Sequence, residues 1–341
     1  MFLRPIRGAC DKIQNMKKIC AVADFLTEDN RKKMTETARA CGFEIEFFES
    51  AKEASGRVSD CEVIYSGGDS SILRGMPALR WCHTAFAGIG AYAESGIFDS
   101  GEVLLTNSSG AYGRTISEHI VMVSLMLMRQ MPEYTRIINE RRWVQDLPIR
   151  SIAGSNIVII GTGDIGRNAA GRYRALGAKS ITAFSRSGRK TEGFDKVFCL
   201  DEFDRLFSDP AFSESVDILL LCVPGTPGTR GLLSRERIAM LSGRTYVINV
   251  GRGIVIDQDA LLEALKEHSI AGAALDVMYP EPLPKDHPLW DAPDCIITPH
   301  ISGDMGLQYT VGVTVDYFCE NLERYSAGRK LINLVDIRKG Y

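Results

Sequence analysis

The chain has 341 residues, of which 45% are hydrophobic and 24% are charged, and its formal net charge is −3. That length allows two domains of ordinary size, and the composition is typical of a soluble globular protein. The charge balance excludes a basic surface for nucleic acid or membrane, and the most apolar stretch, 120–128, is far shorter than the ~20 residues of a membrane span. The nine cysteines are scattered singly, without Cys/His clusters. We therefore expect reduced thiols in a cytoplasmic protein, with no disulfide framework and no metal site.

The first third of the chain alternates between strand-like and helix-like segments. The sequence predicts a helix at 28–41, helix-like turns at 70–74, and strands at 18–23, 44–48, 62–65, 79–83 and 103–106. Such alternation with short loops indicates a parallel sheet covered by helices on both faces. Residues 1–16 precede the first strand and are predicted to be an N-terminal extension. The loop 84–90 follows a strand end, where ligands gather in such sheets, so it is either an anion-binding loop or an ordinary turn.

A long helical pattern runs from Tyr112 to about Arg142, with an apolar face at helical spacing. Pro132 lies inside this pattern and is expected to kink or divide the helix. The face is rich in methionine, which suits a buried core or a subunit interface better than a groove for another partner.

The segment Ile157–Gly166 is the strongest motif of the chain, because an apolar run meets glycines spaced G-x-G-x-x-G and a helical pattern follows. Gly161 permits a tight exit from the strand, Gly163 lets the backbone approach a pyrophosphate, and Gly166 lets helix and strand pack closely. The N-terminus of the following helix offers free N–H groups to phosphates. The pattern therefore predicts dinucleotide binding, the alternative being a glycine-rich turn without special function.

The second part of the chain predicts another α/β unit, with a helix at 234–241 capped by Ser234 and a last helix at 306–327 closed by Gly328. Its strands are expected at 157–160, 181–184, 217–222, 245–249, 272–275 and 295–298.

Four charged residues follow the ends of these strands, which converge at one edge of a parallel sheet. Arg252 can hold a carboxylate and a keto oxygen with its planar fork, and His300 can give or take a proton. Glu281 beside His300 would orient its ring and favour the imidazolium, and Asp276 ends a neighbouring strand. Taken singly, a residue of any of these types in a loop more often has a structural role. Together, beside a dinucleotide, they predict hydride-transfer chemistry.

With these motifs the chain resembles the D-isomer-specific 2-hydroxyacid dehydrogenases, including the glyoxylate/hydroxypyruvate reductases, over nearly its full length. The resemblance rests on segments that match in order and spacing: the glycine motif, Leu221–Pro224 with Thr226–Gly231, Asn249–Gly253, Ala274–Val277, Pro280–Pro284, His287–Trp290 and Thr298–Gly303.

The resemblance implies roles for individual residues. Arg252, Glu281 and His300 would be catalytic, and Arg252 would share the substrate with the Ala87-Gly88-Ile89 loop. Cofactor contacts are implied at Gly161, Gly163, Asp164, Ile165, Gly166, Ser185, Arg186, Val223, Pro224, Thr229, Val250, Asp276 and Gly303.

The resemblance also implies two doubly wound α/β domains. A flavodoxin-like outer substrate domain would comprise residues 17–111 and 300–341, and an inserted Rossmann cofactor domain 112–299. The cleft between them would hold the substrate, and closure would exclude water. A homodimer formed through the long helix is expected.

The end of the second cofactor strand departs from the pattern of NAD-using relatives, in which an acidic residue binds the ribose 2′-OH. Ser185 takes that position here, and Arg186, Arg189 and Lys190 follow. No carboxylate would repel a 2′-phosphate, and the cations could pair with it, unless the turn is simply a solvated basic one. We predict a preference for NADP(H), with NAD(H) as a possible cofactor.

These features together predict a 2-keto acid reductase. One alternative is a cofactor-sensing, corepressor-like binding protein on the same fold. A formate-type oxidase is disfavoured because those relatives carry glutamine where Glu281 stands, whereas a phosphite-type oxidase is less easily excluded. Which keto acid is reduced is left open by the sequence.

Overall fold

The computed structural model describes residues 16–337, so the predicted N-terminal extension, apart from residue 16, lies outside the described residues. The chain divides into two compact units. The first takes the residues up to Ala111 and from Met305 onwards, and the second is Tyr112–Asp304. The second boundary thus follows residue 304, whereas the sequence predicts it after residue 299, and His300 falls in the second unit.

The described residues form strands that we number in chain order: β1 Lys17–Val22, β2 Phe43–Phe48, β3 Cys61–Ser66, β4 Trp81–Thr84, β5 Leu104–Thr106, β6 Asn156–Ile160, β7 Ser180–Ser185, β8 Lys196–Cys199, β9 Ile218–Leu221, β10 Tyr246–Asn249, β11 Gly272–Leu275 and β12 Cys295–Ile297.

The α-helices are α1 Glu28–Ala40, α2 Ala51–Ala54, α3 Gly90–Ala93, α4 Gly113–Met128, α5 Met131–Asn139, α6 Asp164–Ala175, α7 Phe203–Phe207, α8 Pro210–Ser213, α9 Arg235–Ala239, α10 Gln258–Lys266 and α11 Gln308–Ser326. Short 3₁₀ turns lie at Ser70–Gly75, Leu200–Glu202, Gly253–Val255 and Pro288–Asp291.

The first unit contains a parallel sheet of five strands in the order β2-β1-β3-β4-β5, which is the flavodoxin-like doubly wound order. Its core includes an aromatic cluster in which Trp81 stacks on Phe318 of α11 and Tyr65 meets Phe318 edge-on. His83 is fully buried in this cluster, and its ring nitrogens contact Thr106 Oγ1 at 2.8 Å and Ser108 Oγ at 3.2 Å. The polar atoms of this buried ring are therefore satisfied.

The second unit contains a parallel sheet of seven strands in the order β12-β11-β10-β9-β6-β7-β8. This is the Rossmann order with a seventh strand added beyond the sixth. The central strands β6, β9 and β10 are almost wholly buried, as expected for apolar runs covered by helices on both faces. The predicted fold class, two doubly wound parallel-sheet units, is confirmed.

The helix predicted at 112–142 is divided into two, as expected from Pro132: Gln130 adopts a left-handed conformation (φ 57°), and Pro132 lies in the first turn of α5 instead of in a helix interior. The strand β8 was not predicted, since it has four residues and only partly buried side chains. No helix in the described part of the chain is long and apolar enough to cross a membrane.

Candidate active site

All strand pairs of the second sheet are parallel, so the segments that follow β6, β7, β9, β10, β11 and β12 lie at one edge of the sheet. These segments contain the glycine motif and the three predicted catalytic residues. The sheet topology therefore brings to one edge residues that are up to 139 positions apart, from Gly161 to His300.

The glycine motif forms the turn from β6 into α6. Gly161 has φ +114°, and a Cβ at Gly166 would lie 2.0 Å from the Gly161 carbonyl oxygen, so both positions require glycine for internal reasons. A Cβ at Gly163 would meet nothing within 4 Å, and Gly163 is the N-cap of α6, with no side chain capping the helix. The turn thus presents a helix N-terminus beside open space, which fits a bound pyrophosphate.

Two of the predicted cofactor residues have internal roles. The Asp164 carboxylate accepts hydrogen bonds from the amide of Gly113 at 2.7 Å and from Asn168 Nδ2 at 3.0 Å, so it ties α6 to the start of α4. Burial raises the pKa of Asp164, although these two contacts and Arg167 act in the opposite direction. At Gly303 a Cβ would lie 2.9 Å from Tyr112 Cδ1, so packing alone explains this glycine.

The turn that follows β7 contains the residues predicted to select the cofactor. Ser185 is the last residue of β7, and its Oγ accepts a hydrogen bond from the Gly188 amide at 3.1 Å. Arg186, Arg189 and Lys190 are exposed. The turn from 185 to 190 is therefore an exposed basic turn without a carboxylate of its own.

The predicted contacts after β9 lie in a tightly bonded loop. Thr229 Oγ1 donates to the Pro224 carbonyl oxygen at 2.5 Å and accepts from the Thr226 amide at 2.8 Å. A Cβ at the intervening Gly225 would lie 3.0 Å from Arg252 Cγ, so the Arg252 side chain packs over this loop.

Arg252 follows β10 in a loop held by Asn249. The Asn249 side chain donates to the Arg252 carbonyl oxygen and accepts from the Gly251 amide, both at 3.0 Å. The Arg252 side chain is exposed, and its Nη1 donates to the Gly251 carbonyl oxygen at 2.7 Å. Most of the guanidinium's five N–H donors thus remain for another acceptor.

Asp276 is only 2% exposed and anchors the turn that contains His300. Its carboxylate accepts from Thr298 Oγ1 at 2.6 Å and from the amides of Ile301 and Ser302 at 2.9 and 3.0 Å. Burial alone would raise its pKa, but hydrogen bonds from Ser302, Thr298 and these amides lower the pKa of Asp276 below its ordinary value. The Asp276 carboxylate therefore binds groups of the protein chain, at the turn that contains His300.

His300 and Glu281 form the pair that the sequence predicts. His300 Nδ1 lies 2.8 Å from Glu281 Oε2, and Glu281 Oε1 accepts from the Met278 amide at 2.9 Å. His300 has φ +57°, and its amide donates to the carbonyl oxygens of Asp276 and Thr298, both at 2.9 Å. The ring is therefore fixed from its backbone and from Nδ1, and Nε2 is the nitrogen left for other chemistry.

The Ala87-Gly88-Ile89 loop belongs to the first unit and lies at the carboxyl end of β4. Asn107 Nδ2 donates to the Ala87 carbonyl oxygen at 2.8 Å, and the Phe86 carbonyl oxygen accepts from the Ser108 amide at 3.1 Å. Ala87 and Gly88 are exposed. The carbonyl groups of Phe86 and Ala87 thus attach this loop to Asn107 and Ser108.

His119, on α4, is not among the site residues predicted from the sequence, because it belongs to none of the motifs. Its Nε2 lies 3.3 Å from Thr298 Oγ1 and 4.0 Å from Asp276 Oδ1. Burial lowers the pKa of His119, against an opposing effect of Asp276. His119 thus supports the Asp276–Thr298 contact from the α4 side.

Among the described residues, no group of three or more His, Cys, Asp or Glu side chains could hold a metal ion. A Rossmann-type sheet with a glycine-rich turn, an arginine and a carboxylate–histidine pair at one edge fits a nicotinamide-dependent oxidoreductase.

Comparison with known proteins narrows this class. Residues 121–302 match the model of the D-isomer specific 2-hydroxyacid dehydrogenase NAD-binding domain. The chain is 30% identical over 274 residues to glyoxylate/hydroxypyruvate reductase A of Serratia proteamaculans, covering 79% of this chain and 82% of that one. The chain belongs to the D-isomer specific 2-hydroxyacid dehydrogenase family, and it is an NAD(P)-dependent enzyme.

Solved structures of the same family are similar over almost the whole chain. A family protein from Aeromonas salmonicida is 28% identical with a TM-score of 0.81, covering 95% of this chain and 100% of that one. An NADPH-dependent glyoxylate/hydroxypyruvate reductase from Sinorhizobium meliloti, in complex with NADP and sulfate, is 25% identical with a TM-score of 0.77 and covers 95% and 100%.

Proposed function

We propose that this dehydrogenase works as a 2-keto acid reductase that prefers NADPH and forms a D-2-hydroxy acid. The observation that supports this most is the 2.8 Å contact between His300 Nδ1 and Glu281 Oε2, at the same sheet edge as Arg252. The bound cofactor would supply the hydride. The glycine turn suits it, because Gly163 faces open space and α6 has no side-chain cap.

The three catalytic residues would divide the remaining work. Arg252 would hold the substrate carboxylate and polarise the keto oxygen, since its guanidinium is a planar fork of donors. His300 would give a proton from Nε2 to that oxygen as negative charge develops on it. Glu281, hydrogen-bonded to Nδ1, would hold the ring so that Nε2 is the nitrogen directed to the substrate oxygen.

The substrate carboxylate needs further donors, and we propose the amides of Ala87, Gly88 and Ile89 for this role. The carbonyl contacts of Asn107 and Ser108 fix this loop on one side. Ala87 and Gly88 are exposed, which supports the proposal.

The preference for NADPH is supported by the turn after β7. Ser185 ends the strand, and the next residues include three exposed cations. A 2′-phosphate would meet donors there and no carboxylate. The Sinorhizobium relative binds NADP.

We also propose a homodimer formed through α4, α5 and the segment that follows them. Exposed large apolar side chains gather there, with Trp143 90% exposed: Met122, Met131, Ile138, Trp143 and Ile149. Light scattering of the wild-type protein and of Trp143→Ser tests the dimer, because a monomeric wild-type protein would contradict it.

The eight cysteines of the described part are free thiols, which suits a reducing compartment such as the cytoplasm.

The decisive experiment is a panel of 2-keto acids, including glyoxylate and hydroxypyruvate, assayed with NADPH and with NADH. We expect turnover with at least one keto acid and a higher kcat/KM with NADPH. A protein that binds NADPH without turning over any of them would instead be a cofactor-sensing binding protein. A tenfold preference for NADH would contradict the cofactor assignment.

A further inference from the structure

The loop that contains Glu281 is held by a side chain outside the predicted site. Gln258 is the first residue of α10, 21 positions before Tyr279. Its Nε2 donates to the Tyr279 carbonyl oxygen at 2.9 Å, and its Oε1 accepts from the Tyr279 amide at 2.9 Å. One side-chain amide therefore satisfies both backbone groups of the residue two positions before Glu281.

A primary amide suits this pair of contacts, because it has a donor and an acceptor side by side. The orientation of the Gln258 amide follows from its partner, since the Tyr279 N–H requires an oxygen and the Tyr279 carbonyl requires an N–H. Asp257 caps α10 by accepting from the Ala260 amide at 3.0 Å, which fixes the helix end that positions Gln258.

Glu281 needs such support, because its side chain and that of His300 are 35% and 46% exposed, so packing around them is incomplete. The Arg252 loop has a separate attachment to this region. A Cβ at Gly253 would lie 1.9 Å from the Met278 carbonyl oxygen, so backbone meets backbone there. Gln258 therefore supports the loop that contains Glu281, whereas the Arg252 loop has its own contact.

We infer that Gln258 is a positioning residue for Glu281, which it controls through the backbone of Tyr279. This inference rests on the proposed catalytic role of Glu281. Gln258 fixes Tyr279, the Met278 amide fixes Glu281 Oε1, and Glu281 Oε2 fixes His300 Nδ1. Loss of the Gln258 contacts would loosen Glu281 without removing any group that binds the cofactor.

The test uses two variants of similar size. Gln258→Met removes both contacts with Tyr279, together with the 3.5 Å contact between Gln258 Nε2 and His287 Nε2. Gln258→Glu keeps the acceptor but places a carboxylate oxygen against the Tyr279 carbonyl. We expect kcat to fall by about 10- to 100-fold in both, as for a misplaced catalytic group, while the Kd for NADPH changes less than twofold. Gln308→Met is the matched control, because Gln308 is also the first residue of a helix, α11, is exposed, and makes no side-chain hydrogen bond among the described residues.

A double-mutant cycle separates positioning from general structure. In a Glu281→Ala background no side chain remains to be positioned, so adding Gln258→Met should lower kcat by less than twofold. A full additional loss in that background overturns the inference. If Glu281→Ala alone turns over at the wild-type rate, the proposed function fails as well. If Glu281→Ala is slow and Gln258→Met is as fast as the wild-type protein, only the inference about Gln258 fails.

Discussion

Glu281 contacts His300 and its own loop at the same time, because one carboxylate oxygen lies 2.8 Å from His300 Nδ1 and the other accepts from the Met278 amide at 2.9 Å. A carboxylate used in this way fixes the direction of the imidazole ring. The contact leaves Nε2 as the nitrogen that can reach a substrate oxygen. Each of the other functional groups of the site can be tested by a substitution of its own.

The first of these groups is the planar guanidinium of Arg252, with its fork of N–H donors. Arg252→Lys keeps the charge but cannot hold a carboxylate and a keto oxygen together, so we expect kcat/KM to fall by about 100-fold, or about 2.7 kcal/mol. Steady-state kinetics with NADPH measures this loss. Arg205→Lys, at an exposed arginine paired with Glu202, is the control and should be unchanged. A loss below threefold for Arg252→Lys would argue against the fork.

Asp276 is expected to matter for stability as well as for activity. Its carboxylate accepts three hydrogen bonds at 3.0 Å or less, and an asparagine would turn an N–H₂ group towards some of these donors. We expect Asp276→Asn to lower the free energy of unfolding by about 3 kcal/mol at neutral pH, measured by urea denaturation.

The pH dependence of this loss has a definite sign. The pKa of Asp276 is lowered in the folded protein, so its stabilisation is present above about pH 4 and is lost as the pH falls below that. The difference between wild-type protein and Asp276→Asn should therefore shrink in acid. Asp146→Asn, at an exposed position, should show no difference at any pH. An Asp276→Asn protein as stable as the wild type would refute the anchoring role.

The turn after β7 gives a prediction about the cofactor. Ser185→Asp can still accept from the Gly188 amide, but it places a negative charge where a 2′-phosphate would bind. We expect the ratio of kcat/KM for NADPH to that for NADH to fall at least about tenfold. Ser151→Asp is a matched control, because Ser151 also accepts from a turn amide, that of Ala153. An unchanged ratio would show that this turn does not contact the cofactor.

The buried His83 of the first unit predicts a pH effect on folding. Burial lowers the pKa of His83 to about 3. In the unfolded chain its pKa is near 6.5, so between these values only the unfolded chain binds the proton. Stability should therefore fall as the pH drops below about 6.5, by up to about 1.4 kcal/mol per pH unit.

Glutamine can replace the hydrogen bonds of His83 without titrating. The unfolding free energy of His83→Gln should therefore fall less between pH 7 and pH 4 than that of the wild-type protein. His268→Gln, at an exposed position, should follow the wild-type curve. Parallel curves for His83→Gln and wild type would contradict the neutral buried state.

Much of the fold could be predicted because its signals are local. The buried run Ile157–Ile160, the three glycines and Pro132 each have a direct structural consequence. β8 could not be found, because it has only four residues and their side chains are exposed or only partly buried. The boundary between the two units after residue 304 depends on contacts between distant segments, and no short motif predicts such contacts.

The pair His300–Glu281 could be predicted because both residues follow strand ends, whereas the residues that hold this pair could not. No motif in the sequence includes Gln258, and His119 lies on α4 beside the apolar residue Ile120. Asp276 was expected beside the nicotinamide, and only the structure gives its three contacts to the 298–302 turn. Positioning residues act through backbone groups of other loops, so their partners become apparent only after folding.

The central claim is that His300 protonates the keto oxygen while Glu281 holds its ring. The most direct measurement is single-turnover reduction of a 2-keto acid by wild-type protein, His300→Ala and Glu281→Gln, each saturated with NADPH. We predict that His300→Ala lowers the rate by about 10²- to 10⁴-fold, and Glu281→Gln by a smaller factor, with the Kd for NADPH unchanged. A His300→Ala protein that reduces the keto acid at close to the wild-type rate would contradict the account.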